Sequence, residues 1–377
     1  MLGRPEAHST QKHHPSLDGL RGFAAFSVLL YHLGHWLGFP ALATNSGLAV
    51  DLFFCLSGYV LPLAYQRHTA TLTTPRFLRT RIIRLMPLVL LAIAISAPYV
   101  VVRNGLAGAG VPWTPVAMAV LLGMINLPYF GAPKAIGGPE LFPLNGPQYT
   151  LFLELVVNAL WWATRRLDQF RLAVVLACCC FVLLLPMGLG GDIAETFWSG
   201  FPRVGASFFA GVALFHFEGR VPNWRAWTAI FWSLFAVMAV LFYLPFEAPL
   251  ALQLFWVAVL SPLLVLAGTR ARLSTFVNRV CLSAGALSYP VYCLHYPIFS
   301  WVNGLYRARF GPQSLAIEGP LVIALALVLS FAALKLYDEP LRRFLATRSR
   351  RAHGRRHPTA PSPLKRISEG IIAETDD

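Results

Sequence analysis

Apolar runs of about 20 residues recur almost from end to end of this 377-residue chain, broken by short polar stretches. They lie near 18–38, 47–66, 82–102, 115–130, 147–164, 172–189, 197–217, 226–245, 249–268, 282–303 and 318–339. Runs of that length are what an α-helix needs to cross a bilayer. The fourth, "PVAMAVLLGMINLPYF", is short and bounded by prolines. At ~1.5 Å per residue it falls short of a ~30 Å hydrocarbon core.

Loop charge decides how that fourth run is counted. If it does not span and the N-terminus is cytoplasmic, 24 Arg and Lys residues fall in inside segments. Only Arg103, Lys134, Arg307 and Arg309 then lie outside. Counting it as a span would expose "RRLDQFR" and "TRARLSTFVNR" on the outside, against the positive-inside bias. The expectation is an all-α polytopic membrane protein. About ten transmembrane helices surround a polar cavity, and both termini are cytoplasmic. Residues 1–16 form a cytoplasmic N-terminal segment, 17–340 the membrane domain, and 341–377 a basic, unstructured cytoplasmic tail that can lie against anionic lipid. Residues 103–146 become one Gly- and Pro-rich external loop. The first run is too long for a signal peptide and is expected to be retained.

Composition agrees: 56% of residues are hydrophobic and 13% charged, about half the charged share of a soluble domain. The net charge of +14 would suit a nucleic-acid binder. The basic residues, however, sit in the loops and the tail, so no nucleic-acid partner is expected. Membrane lipids are. The six cysteines form no CxxC pair and read as packing residues. No internal repeat is evident.

Ionisable residues inside the apolar runs carry the chemistry. In "LDGLRGFAAFSVLLYH", Arg21 and His32 are 11 residues apart, on one helix face and ~16 Å apart along the axis. Asp18, three residues before Arg21, can pair with it. Asp51, Glu154, Arg203 and His295 lie in four other runs, and each falls with His32 at ~20–24 Å above the inner face. One such charge alone is costly in lipid, whereas a common layer can pair. A purely structural ion network would explain the pairing but not the two imidazoles, which suit proton transfer. A second cluster, Arg76, Arg79, Arg81 and Arg84 in "RFLRTRIIRLMP", lies near the level of Arg21 and Lys335. Most of these would serve as ordinary anchors. Guanidiniums at a cavity mouth also suit a polyphosphate ligand.

The chain resembles the membrane acyltransferase-3 family, bacterial integral-membrane O-acyltransferases that modify surface glycans and some small molecules. The matching stretches are "LDGLRGFAAFSVLLYH", with the family's Arg-x10-His pattern at Arg21 and His32, "VDLFFCLSGYVL", "RTRIIRLMPL", "NGPQYTLFLELVVNALWW" and "LSYPVYCLHYPI". They occur in family order over residues 17–340. Tyr149 stands where members commonly have Trp, which alters packing or acceptor shape more than chemistry. The fused extracytoplasmic hydrolase-like domain of some members is not seen in the sequence.

The resemblance implies an acyl-CoA donor, usually acetyl-CoA, approached from the cytoplasm, and a hydroxyl acceptor on a glycan or lipid-linked sugar at the outer side. It implies the cytoplasmic (inner) membrane of a bacterium. His32 would be the essential catalytic residue, and Asp18, Asp51 and Glu154 match acidic family positions. The combined expectation makes His32 the general base, oriented by Asp51 or Glu154, with a covalent acyl-His relay left open. Arg21, Arg79, Arg81 and Arg84 hold donor phosphates. Arg203 or His295 serves the oxyanion or the acceptor. No resident metal and no permanently bound cofactor are expected. The alternative from another class is a proton-coupled transporter or glycan exporter using the same polar layer; a third is an inactive partner subunit.

Overall fold

The computed structural model describes residues 13–65, 71–108 and 110–354. Most of the expected N-terminal segment and the tail beyond residue 354 lie outside the described residues.

The chain is all-helical, with one isolated β-bridge between Glu140 and Ile193 among the described residues. The elements are α1 (Pro15–Trp36), α2 (Ala49–Tyr65), α3 (Thr74–Leu106), α4 (Trp113–Met124), α5 (Gln148–Ala163), α6 (Gln169–Met187) and α7 (Gly200–Phe217). After them come α8 (Trp227–Phe242), α9 (Leu250–Phe255), α10 (Ser261–Arg270), α11 (Thr275–Phe310), α12 (Leu315–Ala333) and α13 (Glu339–Gly354). A π-helical turn, Trp256–Leu260, joins α9 to α10, and another, Leu334–Asp338, joins α12 to α13.

Five helical stretches are long and apolar enough to cross a bilayer: Ser46–Tyr65, Thr74–Leu106, Gln169–Met187, Leu250–Arg270 and Leu315–Leu345. Helices α1, α7 and α11 are also long, but they carry the polar residues of the interior. α4 has 12 residues, about 18 Å of helix, too short for the ~30 Å core. The basic segment from Arg342 continues as helix α13 as far as Gly354. The sequence reading expected no structure there. The difference is that α13 extends a helix already formed by α12, so it needs no nucleus of its own.

Two seams set the positions of the functional side chains. α1 packs on α11, where a Cβ on Gly22 would overlap the side chain of Ala284. α2 packs on α7, where a Cβ on Gly58 would overlap the carbonyl of Phe208. Small residues let helix backbones approach this closely, as at helix interfaces within membranes. The first seam brings His32 to His295, and the second brings Asp51 to Arg203.

Candidate functional site

Near the Trp36 end of α1, His32 meets His295 of α11. His295 Nε2 lies 3.2 Å from His32 Nδ1, with the ring centroids 5.0 Å apart. His295 is buried and His32 is half-buried. Each imidazole also faces a carbonyl one turn back on its own helix. His295 Nδ1 is 2.9 Å from Val291 O, and His32 Nδ1 is 3.0 Å from Val28 O. A carbonyl only accepts, so His295 Nδ1 carries the hydrogen, and in the neutral ring its Nε2 is an acceptor. His32 Nδ1 then faces two acceptors and must carry its own hydrogen. That assignment leaves His32 Nε2 with a free lone pair. Trp36 completes the surroundings, 5.3 Å from the His32 ring and 5.1 Å from that of Tyr296.

Neither carboxylate expected to orient His32 does so. Asp51 is fully buried and takes a two-pronged contact from Arg203, Nε to Oδ1 at 3.0 Å and Nη2 to Oδ2 at 2.9 Å. Ser207 donates to the same carboxylate at 3.3 Å. Arg203 Nη2 also donates to Gly47 O at 2.8 Å, and Nη1 to Gly190 O at 3.5 Å. The fork matches guanidinium to carboxylate geometry. It joins α2, α7 and two flanking loops, so Asp51 and Arg203 are occupied with each other rather than with an imidazole or an oxyanion.

Glu154 likewise has a partner other than His32. Its Oε1 accepts from Ser57 Oγ at 2.8 Å. It lines a cavity of about 500 Å³ together with Arg21, Arg81 and Arg84. That volume is within the ordinary range of small-molecule sites. Arg21 pairs with Asp18 at 3.5 Å, and Asp18 with His13 at 3.0 Å. Arg81 is buried, with its guanidinium 4.9 Å from the ring centre of Tyr65. Arg79 is exposed and does not line the cavity. Two residues before Arg81 on α3, it points about 200° around the helix. Arg84, three residues after Arg81, shares its side.

Sequence reasoning missed two further arginines. Arg342 and Arg343 of α13 line the same cavity. Arg342 Nε donates to the buried Asp338 at 2.7 Å, and Arg343 pairs with Glu339 at 3.2 Å. Their signal in the sequence was a run of tail charge with nothing to say that it folds back. Phe53, Thr150 and Tyr292 also line this cavity. Tyr292 precedes His295 by three residues on α11, with ring centroids 6.2 Å apart. One side chain of the cavity lining, Tyr292, is thus a ring neighbour of the histidine pair. Among the described residues, no group of three or more His, Cys, Asp or Glu side chains is arranged to hold a metal ion.

The loop between α4 and α5 adds an acid that the sequence did not single out. Glu140 faces Tyr296 and stands against Gly146, where a Cβ would overlap its carboxylate. Burial pushes its carboxyl up to about 7. The backbone bridge to Ile193 and the hydrogen bond from Leu141 N to Asp192 O, 3.0 Å, hold this loop on the one preceding α7.

A guanidinium-lined cavity and a histidine pair thus lie close together inside one helical bundle. The Acyl_transf_3 family model, described as an acyltransferase domain, matches residues 14–335. The chain belongs to this acyltransferase family. It is 37% identical to "Protein 2 in picA locus" of Rhizobium radiobacter over 45% of this chain and 92% of that protein. It is 23% identical to "O-acetyltransferase OatA" of Staphylococcus aureus over 90% of this chain and 59% of that protein. The chain thus spans a little over half the length of OatA. No solved structure matches the chain.

Proposed function

We propose that this protein transfers an acyl group, acetyl or one of similar size, from cytoplasmic acyl-CoA to a hydroxyl of a sugar or surface glycan on the outer side of a bacterial cytoplasmic membrane. The observation that carries this reading is the arginine-lined cavity whose lining includes Tyr292, one helical turn from His295 and its partner His32. A polyphosphate donor suits several guanidiniums converging on one space, because each phosphate oxygen can accept a charge-assisted hydrogen bond. Arg21, Arg81 and Arg84 serve that role, joined by Arg342 and Arg343. Glu154 offers an acceptor to amide or amino hydrogens of the same donor. Asp18 steadies Arg21.

In the transfer, His32 Nε2 accepts the proton of the acceptor hydroxyl. The hydroxyl oxygen forms a bond to the thioester carbon, and the carbon–sulfur bond breaks. The leaving thiolate takes up the proton that His32 holds, and the imidazole returns to its starting state. His295 keeps His32 in the tautomer that leaves Nε2 free. It is a positioning residue, as the third member of other catalytic triads is.

The test uses the full-length protein in nanodiscs with acetyl-CoA. Thiol release and ester formation on cell-envelope glycans are measured, and envelope glycans from a deletion strain are compared by mass spectrometry. Acetyl-CoA-dependent ester formation, and loss of an ester in the deletion strain, are the expected results. No turnover of any acyl-CoA, together with an unchanged ester content, would overturn the reading in favour of a transporter.

A further inference from the structure

Three side chains of the cavity lining, Tyr292, Thr150 and Phe53, hold one another, and Tyr292 is a ring neighbour of His295. Tyr292 Oη lies 2.8 Å from Thr150 Oγ1, and Thr150 Oγ1 donates to Pro147 O at 2.9 Å. Either hydroxyl can donate in the Tyr292–Thr150 pair, and Tyr292 Oη also reaches Pro147 O at 3.4 Å. The Phe53 ring meets Tyr292 edge-on, with centroids 5.5 Å apart and planes at 76°. Tyr292 is thus tied at its hydroxyl from α5 and braced on its ring from α2. It is 6% exposed, and the little surface it shows lines the cavity. The His295 ring is its neighbour on α11, with centroids 6.2 Å apart.

A donor whose phosphates rest on Arg81, Arg84, Arg342 and Arg343 carries its thioester at the far end of a flexible arm. The acyl group is the leading end and meets this ring first. An aromatic ring held at two points yields little, so added acyl length must be accommodated by displacing packed atoms, and that is costly in a close-packed interior.

We infer that Tyr292, tied by Thr150 and braced by Phe53, is the specificity-determining residue that limits the donor's acyl group to a short one. The inference rests on the donor reading given above and adds to it the residue that sets the length of the acyl group. Discrimination of one methylene in an apolar pocket typically amounts to ~10–200-fold, so a ladder of acyl lengths reports directly on the ring.

The test is displacement of radiolabelled acetyl-CoA from the full-length protein in nanodiscs by unlabelled acetyl-, butyryl- and hexanoyl-CoA. Wild-type protein is expected to prefer acetyl- over hexanoyl-CoA by at least ~10-fold. Tyr292→Ala should remove that preference or invert it, and Tyr292→Leu, a milder change among apolar neighbours, should reduce it. Tyr292→Phe keeps the ring and should keep the wild-type order. The inference fails if Tyr292→Ala and Tyr292→Leu bind acetyl-CoA normally and leave the ratio unchanged, or if Tyr292→Phe alone reverses it. If wild-type protein binds no acyl-CoA at all, the donor reading falls and takes this inference with it. An unchanged ladder with acetyl-CoA still bound overturns the inference alone.

Discussion

The Nε2 atom of His295 lies 3.2 Å from Nδ1 of His32, while the other nitrogen of His295 is bound to the Val291 carbonyl. Two carbonyls at opposite ends of this short chain therefore dictate where both hydrogens sit. The carbonyl of Val28 and the lone pair of His295 point the same way, and His32 is left basic at Nε2.

His32→Ala is expected to lower ester formation by ~10²–10⁴, the usual loss on removing a general base. His295→Gln retains an oxygen that can accept from His32 Nδ1 and should recover part of the activity that His295→Ala loses. Initial rates at saturating acetyl-CoA measure both. Equal rates for His295→Gln and His295→Ala would mean that acceptance of that hydrogen is unimportant.

Donor affinity should depend on α13. Arg342→Ala and Arg343→Ala are each expected to weaken acetyl-CoA binding, by up to ~2–3 kcal/mol for a charge-assisted contact to phosphate. Arg79→Ala should bind as wild type does, because Arg79 is exposed and faces away from the cavity. Equilibrium binding in nanodiscs is the measurement. A stronger effect at Arg79 than at Arg342 would contradict the cavity as the donor site.

Asp51 and Arg203 should behave as structure rather than chemistry. Asp51→Ala leaves a buried guanidinium without its counter-charge, a loss of about 3–5 kcal/mol. The double variant Asp51→Leu with Arg203→Met removes both charges and should recover much of that loss. Thermal midpoints in detergent test this, and a double variant as unstable as the single one would refute it.

The carboxyl of Glu140 sits in a loop outside the helices and is raised to about 7 by burial. Its folded pKa is above the ordinary carboxylate value, so its favourable contribution is present at low pH and is lost as pH rises from ~4.3 through about 7. The thermal midpoint is expected to fall across that window in wild type, and Glu140→Gln should flatten the profile. An unchanged slope in Glu140→Gln would assign the pH dependence to another group.

Topology follows from loop charge. A reporter fused after Arg165 should be cytoplasmic and one near Lys134 external, given 24 basic residues on one side against four on the other. A reporter at 165 found outside would make α4 a span despite its 12 residues.

The amino-acid pattern by itself determined the all-helical build and the short α4. Hydrophobic period, helix rise and turn residues are local quantities, and helices obey them wherever they pack. It also singled out His32, Asp51, Glu154, Arg203 and His295 as one group, and Arg76, Arg79, Arg81 and Arg84 with Arg21 as another. Only the tertiary structure decided which of these residues touch. Depth says nothing about the angle around a bundle. Asp51 therefore met Arg203 and Glu154 met Ser57, while His32 was left to His295. Those meetings depend on how closely α1 approaches α11 and α2 approaches α7. Gly22 and Gly58 permit that approach, but their partners, Ala284 and Phe208, lie more than a hundred residues away. The return of α13 to the cavity, which adds Arg342 and Arg343, depends on the same long-range packing, and nothing in a run of basic residues encodes it.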